Sequence, residues 1–269
     1  MFKEFPKVTW QLRVEFQRES VVPHILDPWE CLLDMLQTDR SIARLADGEF
    51  ALATGTGTPN TKQQLGDLDL SIKLKQVLSC EKKNCRVAIP KWMIYWNPVQ
   101  NSGWDGFVVK WFAPSCRKSG IFNYFKPDYL YYDSCMSVPQ AHYGHFGREF
   151  VSSYYDTFKD FLRDKDVVLV TGDYERQSKL EFKLLDEAAK SVELVKTPYT
   201  NAFDDYDNIV KNVRAANKDG SKLVIACFGA AATCLAYDLC DEMRVLDLGH
   251  MLVDYNLSRN GKGTGNFWK

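Results

Sequence analysis

An α/β fold built on a mostly parallel sheet is what this sequence predicts, and three observations carry the prediction. Four short apolar runs, at 167–171, 192–195, 223–227 and 244–248, are separated by helical patterns. That alternation is the sequence form of βαβ units, whose crossover helices leave the strands parallel. The runs are apolar almost throughout rather than alternating, as strands buried on both faces are. Finally, 269 residues with 45% hydrophobic and 26% charged content can build one large core.

In chain order, Asp27-Pro28-Trp29-Glu30 supplies an N-cap, a proline at the first helical position and a glutamate at the third. Leu32, Leu33 and Met35 follow, so a helix starts there. A strand-like run over 41–46 ends at Asp47-Gly48-Glu49, and a loop rich in Gly and Thr follows over 54–60. Leu68, Leu70, Ile72, Leu74, Val77 and Leu78 set a helical pattern, and 86–90 reads as a second buried strand. Residues 92–155 hold 18 of the 36 aromatic residues, and 90–139 holds five of the ten prolines. Short elements and long connections are expected there. Helical patterns over 179–190, 204–216 and 230–239 fill the gaps between the C-terminal strands, and the polar, glycine-rich tail over 259–266 reads as mobile without ligand.

Composition excludes several classes. Lysine and arginine number 34 against 35 acidic residues, a net charge of -1. A broad basic face for nucleic acid or an anionic membrane is therefore not expected. No apolar run approaches ~18 residues, so no membrane-spanning helix is expected. The start of the chain lacks the apolar stretch of a secretory signal, and a cytoplasmic setting is expected. In that setting the eight cysteines stay reduced. Cys80-x4-Cys85 and Cys234-x5-Cys240 are too wide for a zinc knuckle, and His142 with His145 lacks a second ligand pair.

In open parallel sheets ligands bind beyond the carboxyl ends of the strands. The polar residues there are Asp47-Gly48-Glu49, Gly172-Asp173, 198–201, Gly229 and Gly249-His250. If 47–49 stays extended, both carboxylates point the same way and can face one cation, with Gly48 admitting a diphosphate to the backbone. Hard oxygen ligands select Mg or Mn. Asp-Gly is equally a common turn pair. Gly229 opens a helix whose small residues, up to Thr233, admit an anion to backbone N–H groups or let the helix pack tightly. His250 and Asp254, four apart, share a face if helical and can form a histidine–carboxylate couple. Dinucleotide, phosphate-loop and nucleophile-elbow signatures are lacking.

Arg44-Leu-Ala-Asp47-Gly48-Glu49-Phe50 resembles the Arg-Phe-Gly-Asp-Gly-Glu run of the GT-D type glycosyltransferases. The blocks at 201–207, 229–238 and 246–250 resemble three further blocks of that family in the same order, over about residue 40 to 256. The resemblance implies a Rossmann-like sheet flanked by helices. It implies a metal-dependent hexosyltransferase, with glucose favoured, that uses a UDP-sugar with Mn or Mg. Its acceptor would be a glycan or glycosylated protein or lipid of bacterial surface synthesis. Asp47 and Glu49 are then the Asp-x-Glu motif that serves metal and nucleotide. Arg44 adds charge beside the diphosphate or braces the loop. Asn201 contacts uridine or ribose, and the helix opening at Gly229, with Thr233, receives phosphate. His250, with Asp254, takes the acceptor proton if configuration inverts. Met136-Ser-Val-Pro-Gln140, Leu252 and 177–181 depart from the family pattern and bear on the sugar and acceptor contacts.

A single domain over 1–269 follows. In it 40–90 carries the metal and donor motifs, 91–165 an aromatic acceptor-side insert, 166–256 regular βα units and 257–269 a flexible tail. Two or three rings among Trp92, Tyr95, Trp96, Trp104, Trp111 and Tyr124 are expected beside the cleft, as flat partners for sugar. A homo-oligomer is compatible with this reading. The alternative is a non-catalytic nucleotide-sensing module on the same sheet. A methyltransferase using S-adenosylmethionine lacks its glycine-rich first loop.

Overall fold

The computed structural model describes residues 11–12, 23–55, 64, 67–96, 118–172 and 182–260. The strands in chain order are β1 (Gln11–Leu12), β2 (His24–Ile25), β3 (Ser41–Arg44), β4 (Cys85–Ile89), β5 (Tyr95–Trp96), β6 (Leu130–Asp133), β7 (Asp166–Gly172), β8 (Ser191–Thr197), β9 (Leu223–Cys227) and β10 (Val245–Asp247). Eight of them form one parallel sheet in the order β2-β6-β4-β3-β10-β9-β7-β8, while β1 and β5 pair antiparallel apart from it. Val167, Val168, Leu169 and Val170 of β7 are buried, as are Leu223 to Ala226 of β9. That burial is what their unbroken apolar runs require.

The helices are α1 (Pro28–Gln37), α2 (Asp47–Thr54), α3 (Leu68–Leu78), α4 (Lys91–Ile94), α5 (Pro139–Tyr143), α6 (Arg148–Leu162), α7 (Lys183–Ala188), α8 (Tyr206–Ala216), α9 (Ala230–Leu239) and α10 (Met251–Arg259). Asp27 caps α1 as expected, its N–H bonded back to Glu30 Oε2 at 3.0 Å. The chain over 118–162 is not an appendage, because it supplies the sheet strand β6 and the fifteen-residue helix α6. Part of the segment expected to be an acceptor-side insert is thus scaffold.

Right-handed crossovers sort the helices onto two faces. The connections β3–β4, β8–β9 and β9–β10 run one way along the sheet, which puts α2, α3, α8 and α9 on one face. There α2 packs on α3 and α3 on α9. Connections running the other way put α1, α6 and α7 on the opposite face, and α10 packs there among α5, α6 and α7. Neighbouring strands β3 and β10, paired through Ile42 and Leu246, therefore send their chains to opposite faces. A crevice opens between such strands at their carboxyl ends.

Candidate functional site

The crevice is walled by the chain leaving β3 and the chain leaving β10. Contrary to the extended reading, Asp47, Gly48 and Glu49 are the first three residues of α2. Residues two apart on a helix do not face the same way. Glu49 instead turns back to the helix start, where its Oε2 accepts from the Ala46 N–H at 2.8 Å. This bond explains why a helix forms after an alanine that has no capping side chain. A Cβ built on Gly48 would meet nothing within 4 Å, so the space over it is open.

Arg44, the last residue of β3, ties the two walls together. Its Nε donates to the Ser134 carbonyl at 2.9 Å, and its backbone N–H donates to Asp247 Oδ2 at 3.2 Å. The guanidinium lies against Gly249, where an added Cβ would sit 2.7 Å from Nη1. Gly249 has φ +49, in the left-handed region, so both space and backbone call for glycine. Ser134 is presented by the turn after β6. Asp133 fixes that turn, its Oδ1 accepting from Cys135 N–H at 3.1 Å and Lys91 N–H at 3.3 Å.

Asp247, which ends β10, is a site residue that sequence reasoning passed over. It is buried, and its Oδ1 accepts from Gly249 N–H at 3.2 Å. Thr233 Oγ1 lies 2.9 Å from Asp247 Oδ2 and 2.8 Å from the Arg44 carbonyl. The hydroxyl has one proton for two acceptors. Asp247 Oδ2 and the Arg44 carbonyl both accept from it. Burial pushes the Asp247 carboxyl up to about 7, against the pull of Arg44 and of the Thr233 hydrogen bond. Burial raises Glu49 too, again opposed by Arg44. An acid at the end of an otherwise apolar strand, Leu246-Asp247, was the available signal.

His250 stands at the same sheet edge as Asp47, as the N-cap residue of α10. Burial and the Arg44 charge push its imidazole down to about 4, so it is neutral at pH 7. Asp254 is engaged elsewhere. Its carboxylate accepts from the N–H groups of Gln140 at 2.8 Å and Ala141 at 2.9 Å, and from Tyr155 Oη at 2.5 Å. It thereby caps α5 and pins α10 to α6.

Gly229, with φ +79, is the N-cap of α9, and Ala230, Ala231 and Ala232 behind it are buried. The small residues thus serve close packing on β3, and anion access at Gly229 itself is not blocked. Asn201, at φ +52, opens the turn after β8. That turn folds back toward α2 and α3, Phe203 N–H donating to Gln64 Oε1 at 3.2 Å. Of the aromatic candidates, Trp92 is buried and stacks on His142 at 6.3 Å, so it is not among the two or three rings expected beside the cleft. Tyr124 is exposed. Trp104 and Trp111, the side chains of Tyr95 and Trp96, Asp173 and the tail beyond 260 lie outside the described residues. Among the described residues no group of three or more His, Cys, Asp or Glu side chains forms a metal cage, and no helix is long and apolar enough to cross a membrane.

A doubly wound sheet with a polar crevice at its switch point defines a ligand-binding α/β protein. The glycosyltransferase GT-D fold model matches residues 42–263, and the chain belongs to that family. A probable glycosyl transferase, Gly, of Streptococcus gordonii is 26% identical over 237 residues, covering 84% of this chain and 32% of its own length. The chain thus spans about a third of the curated relative it matches. A glycosyltransferase from Streptococcus sanguinis superposes with a TM-score of 0.75 at 23% identity, over 90% of this chain and 86% of its own. A domain described as having a distinct glycosyltransferase fold does so at the same score and identity, over 90% and 83%. These likenesses establish the fold.

Proposed function

We propose that the chain transfers a hexose, glucose favoured, from a UDP-sugar to a glycan or glycosylated acceptor, with Mn or Mg bound at the β3–β10 crevice. The observation that carries this is the charge balance there. Glu49 and Asp247 both face the Arg44 guanidinium, and besides their burial Asp47 raises the proton affinity of Glu49 as Glu49 raises that of Asp247. A divalent cation, for which carboxylate oxygens are suitable ligands, would relieve that excess. Asp47, the first residue of α2, and the second oxygen of Glu49, whose side chain turns back to that same helix start, would hold it. When bound, the cation would neutralise charge on the departing diphosphate.

The chain's own residues do the rest. Arg44, fixed by Ser134, holds positive charge beside the diphosphate, and the open space over Gly48 admits it. The Gly229 turn receives phosphate, and Asn201 offers an amide to the nucleoside. Neutral His250 can accept the acceptor hydroxyl proton at its imidazole, and an arriving anion raises its basicity. Asp254 acts through α10 as a positioning residue.

The test is UDP release from UDP-glucose with Mn, in the wild type and in Asp47→Ala/Glu49→Ala. We expect turnover that chelator abolishes and the variant loses, the variant staying folded although α2 gives up its Glu49 bond to Ala46. A folded variant that keeps the original rate would refute the metal assignment. Binding of UDP-glucose without any UDP release would favour the nucleotide-sensing alternative.

A further inference from the structure

The amino-terminal edge of the sheet carries a second polar cleft, of about 300 Å³. Arg40 immediately precedes β3, the segment 80–83 precedes β4, Arg86 is the second residue of β4, and Tyr129 immediately precedes β6. β4 separates this cleft from the crevice, and five residues at about 3.3 Å each span roughly 15 Å.

Four cations line the cleft, Arg40, Lys82, Lys83 and Arg86, against the single acid Glu81. One of the four is spent. Lys82 Nζ donates to the Asp238 carbonyl at 3.0 Å and pairs with Asp241 at 3.3 Å, the usual work of a lysine at a helix C-terminus. Arg40 and Lys83 are not. Among the described residues the side chains of Arg40 and Lys83 make no hydrogen bond or ion pair. Arg86 is the costliest, with a side chain only 17% exposed. It is ion-paired with Asp34, Nε lying 3.5 Å from Oδ2, but that buried Nε makes no hydrogen bond. Its guanidinium sits over the Tyr129 ring at 5.9 Å. A buried guanidinium nitrogen that finds no hydrogen-bond acceptor is unfavourable unless a ligand completes it. The cleft thiols do not offset this charge. Burial pushes Cys80 up to about 12 and raises Cys85 as well, so both are neutral at pH 7.

We propose that this cleft is a binding site for a phosphate group, free or carried as a small phosphate monoester, with Arg86 and Arg40 holding its oxygens and Lys83 closing over it. Planar guanidinium forks match phosphate oxygens in pairs. The site stands apart from the crevice and does not depend on the transferase reading.

The experiment titrates the full chain with sodium phosphate and with glucose 1-phosphate, against sodium chloride at matched ionic strength, following Tm and calorimetric heat. Three proteins are compared: wild type, Arg40→Ala/Lys83→Ala, and Asp47→Ala/Glu49→Ala. We expect saturable phosphate binding in the wild type. It should be at least tenfold weaker in Arg40→Ala/Lys83→Ala and unchanged in Asp47→Ala/Glu49→Ala. Both changed side chains in the former sit at the cleft rim, and Arg86→Gln provides a second reading of the same loss. Tighter binding of glucose 1-phosphate supports the proposal with a monoester as ligand, and equal binding supports it with the free anion. No saturable effect beyond chloride overturns it. So does binding that survives Arg40→Ala/Lys83→Ala and is altered by the crevice variant.

Discussion

Replacing Gly249 by alanine should damage both stability and turnover, and the structure separates the causes. The left-handed backbone at φ +49 costs a non-glycine residue about 1–2 kcal/mol. The new Cβ would also lie 2.7 Å from Arg44 Nη1 and 3.0 Å from Cζ. A flexible arginine tip could swing away cheaply, but this one is anchored by its Nε bond to the Ser134 carbonyl at 2.9 Å. Moving it forfeits a hydrogen bond to a charged group, worth about 1.5–3 kcal/mol. Gly249→Ala should therefore cost roughly 2.5–5 kcal/mol in the wild type, from those two terms together. In an Arg44→Ala background only the backbone cost of about 1–2 kcal/mol should remain. Urea unfolding of the four proteins gives the coupling directly, and about 1.5–3 kcal/mol is expected. If Gly249→Ala costs the same in both backgrounds to within about 0.5 kcal/mol, the guanidinium is not wedged against Gly249 and the account of the crevice wall fails.

Two further substitutions probe the same edge. Gly48→Ala meets no atom within 4 Å and sits in the first turn of α2, so it should leave stability unchanged or raise it by up to about 1 kcal/mol. If the donor diphosphate packs there, its KM should rise nonetheless; an unchanged donor KM would place the diphosphate elsewhere. Asp254→Asn tests the buried cap. The folded carboxyl sits at about 6 against an ordinary 3.8, so the native state holds a proton that the unfolded chain has lost. Stability should accordingly fall by up to about 3 kcal/mol as pH rises from about 4 to 6. The asparagine loses an acceptor for one backbone N–H, a constant offset. The stability of the wild type relative to the variant should therefore decline across that window in urea titrations, and a flat difference would refute the burial argument.

Which elements were legible follows from how much of their information is local. Strands β7, β9 and β10 were found because strands buried by helices must be apolar throughout, and α9 because it opens on small residues and runs on apolar, whereas β8 is a largely exposed edge strand despite its apolar run. Helix α6 was missed although Phe150, Tyr154, Phe158 and Leu162 set a four-residue stripe, with Val151 and Tyr155 beside it. The density of aromatic rings and prolines around it drew the reading toward irregular structure. Helix α2 lacked even that signal. Phe50, Ala51, Leu52 and Ala53 are all buried, so it has no polar face, and its cap comes from Glu49 reaching back rather than from the residue before it.

The site divides along the same line. That Asp47 and His250 each follow a strand can be read from the chain; that β3 and β10 are neighbours cannot, because it depends on the direction of every crossover between them. This adjacency brings Arg44 to Ser134, 90 residues away, and to Asp247, 203 away. Those contacts, invisible at the level of motifs, also decide protonation. Arg44 and burial together drive His250 down to about 4, whereas for Asp247 burial outweighs Arg44 and the carboxyl rises to about 7. Near neutral pH it is therefore the buried carboxyl between Thr233 and Arg44 that is poised to titrate, and the imidazole is neutral until an anion arrives beside it. A histidine after a glycine at a strand end suggested the reverse, since an isolated imidazole titrates near 6.5 and an isolated carboxyl near 4. The pairing of two strands distant in sequence exchanged their roles.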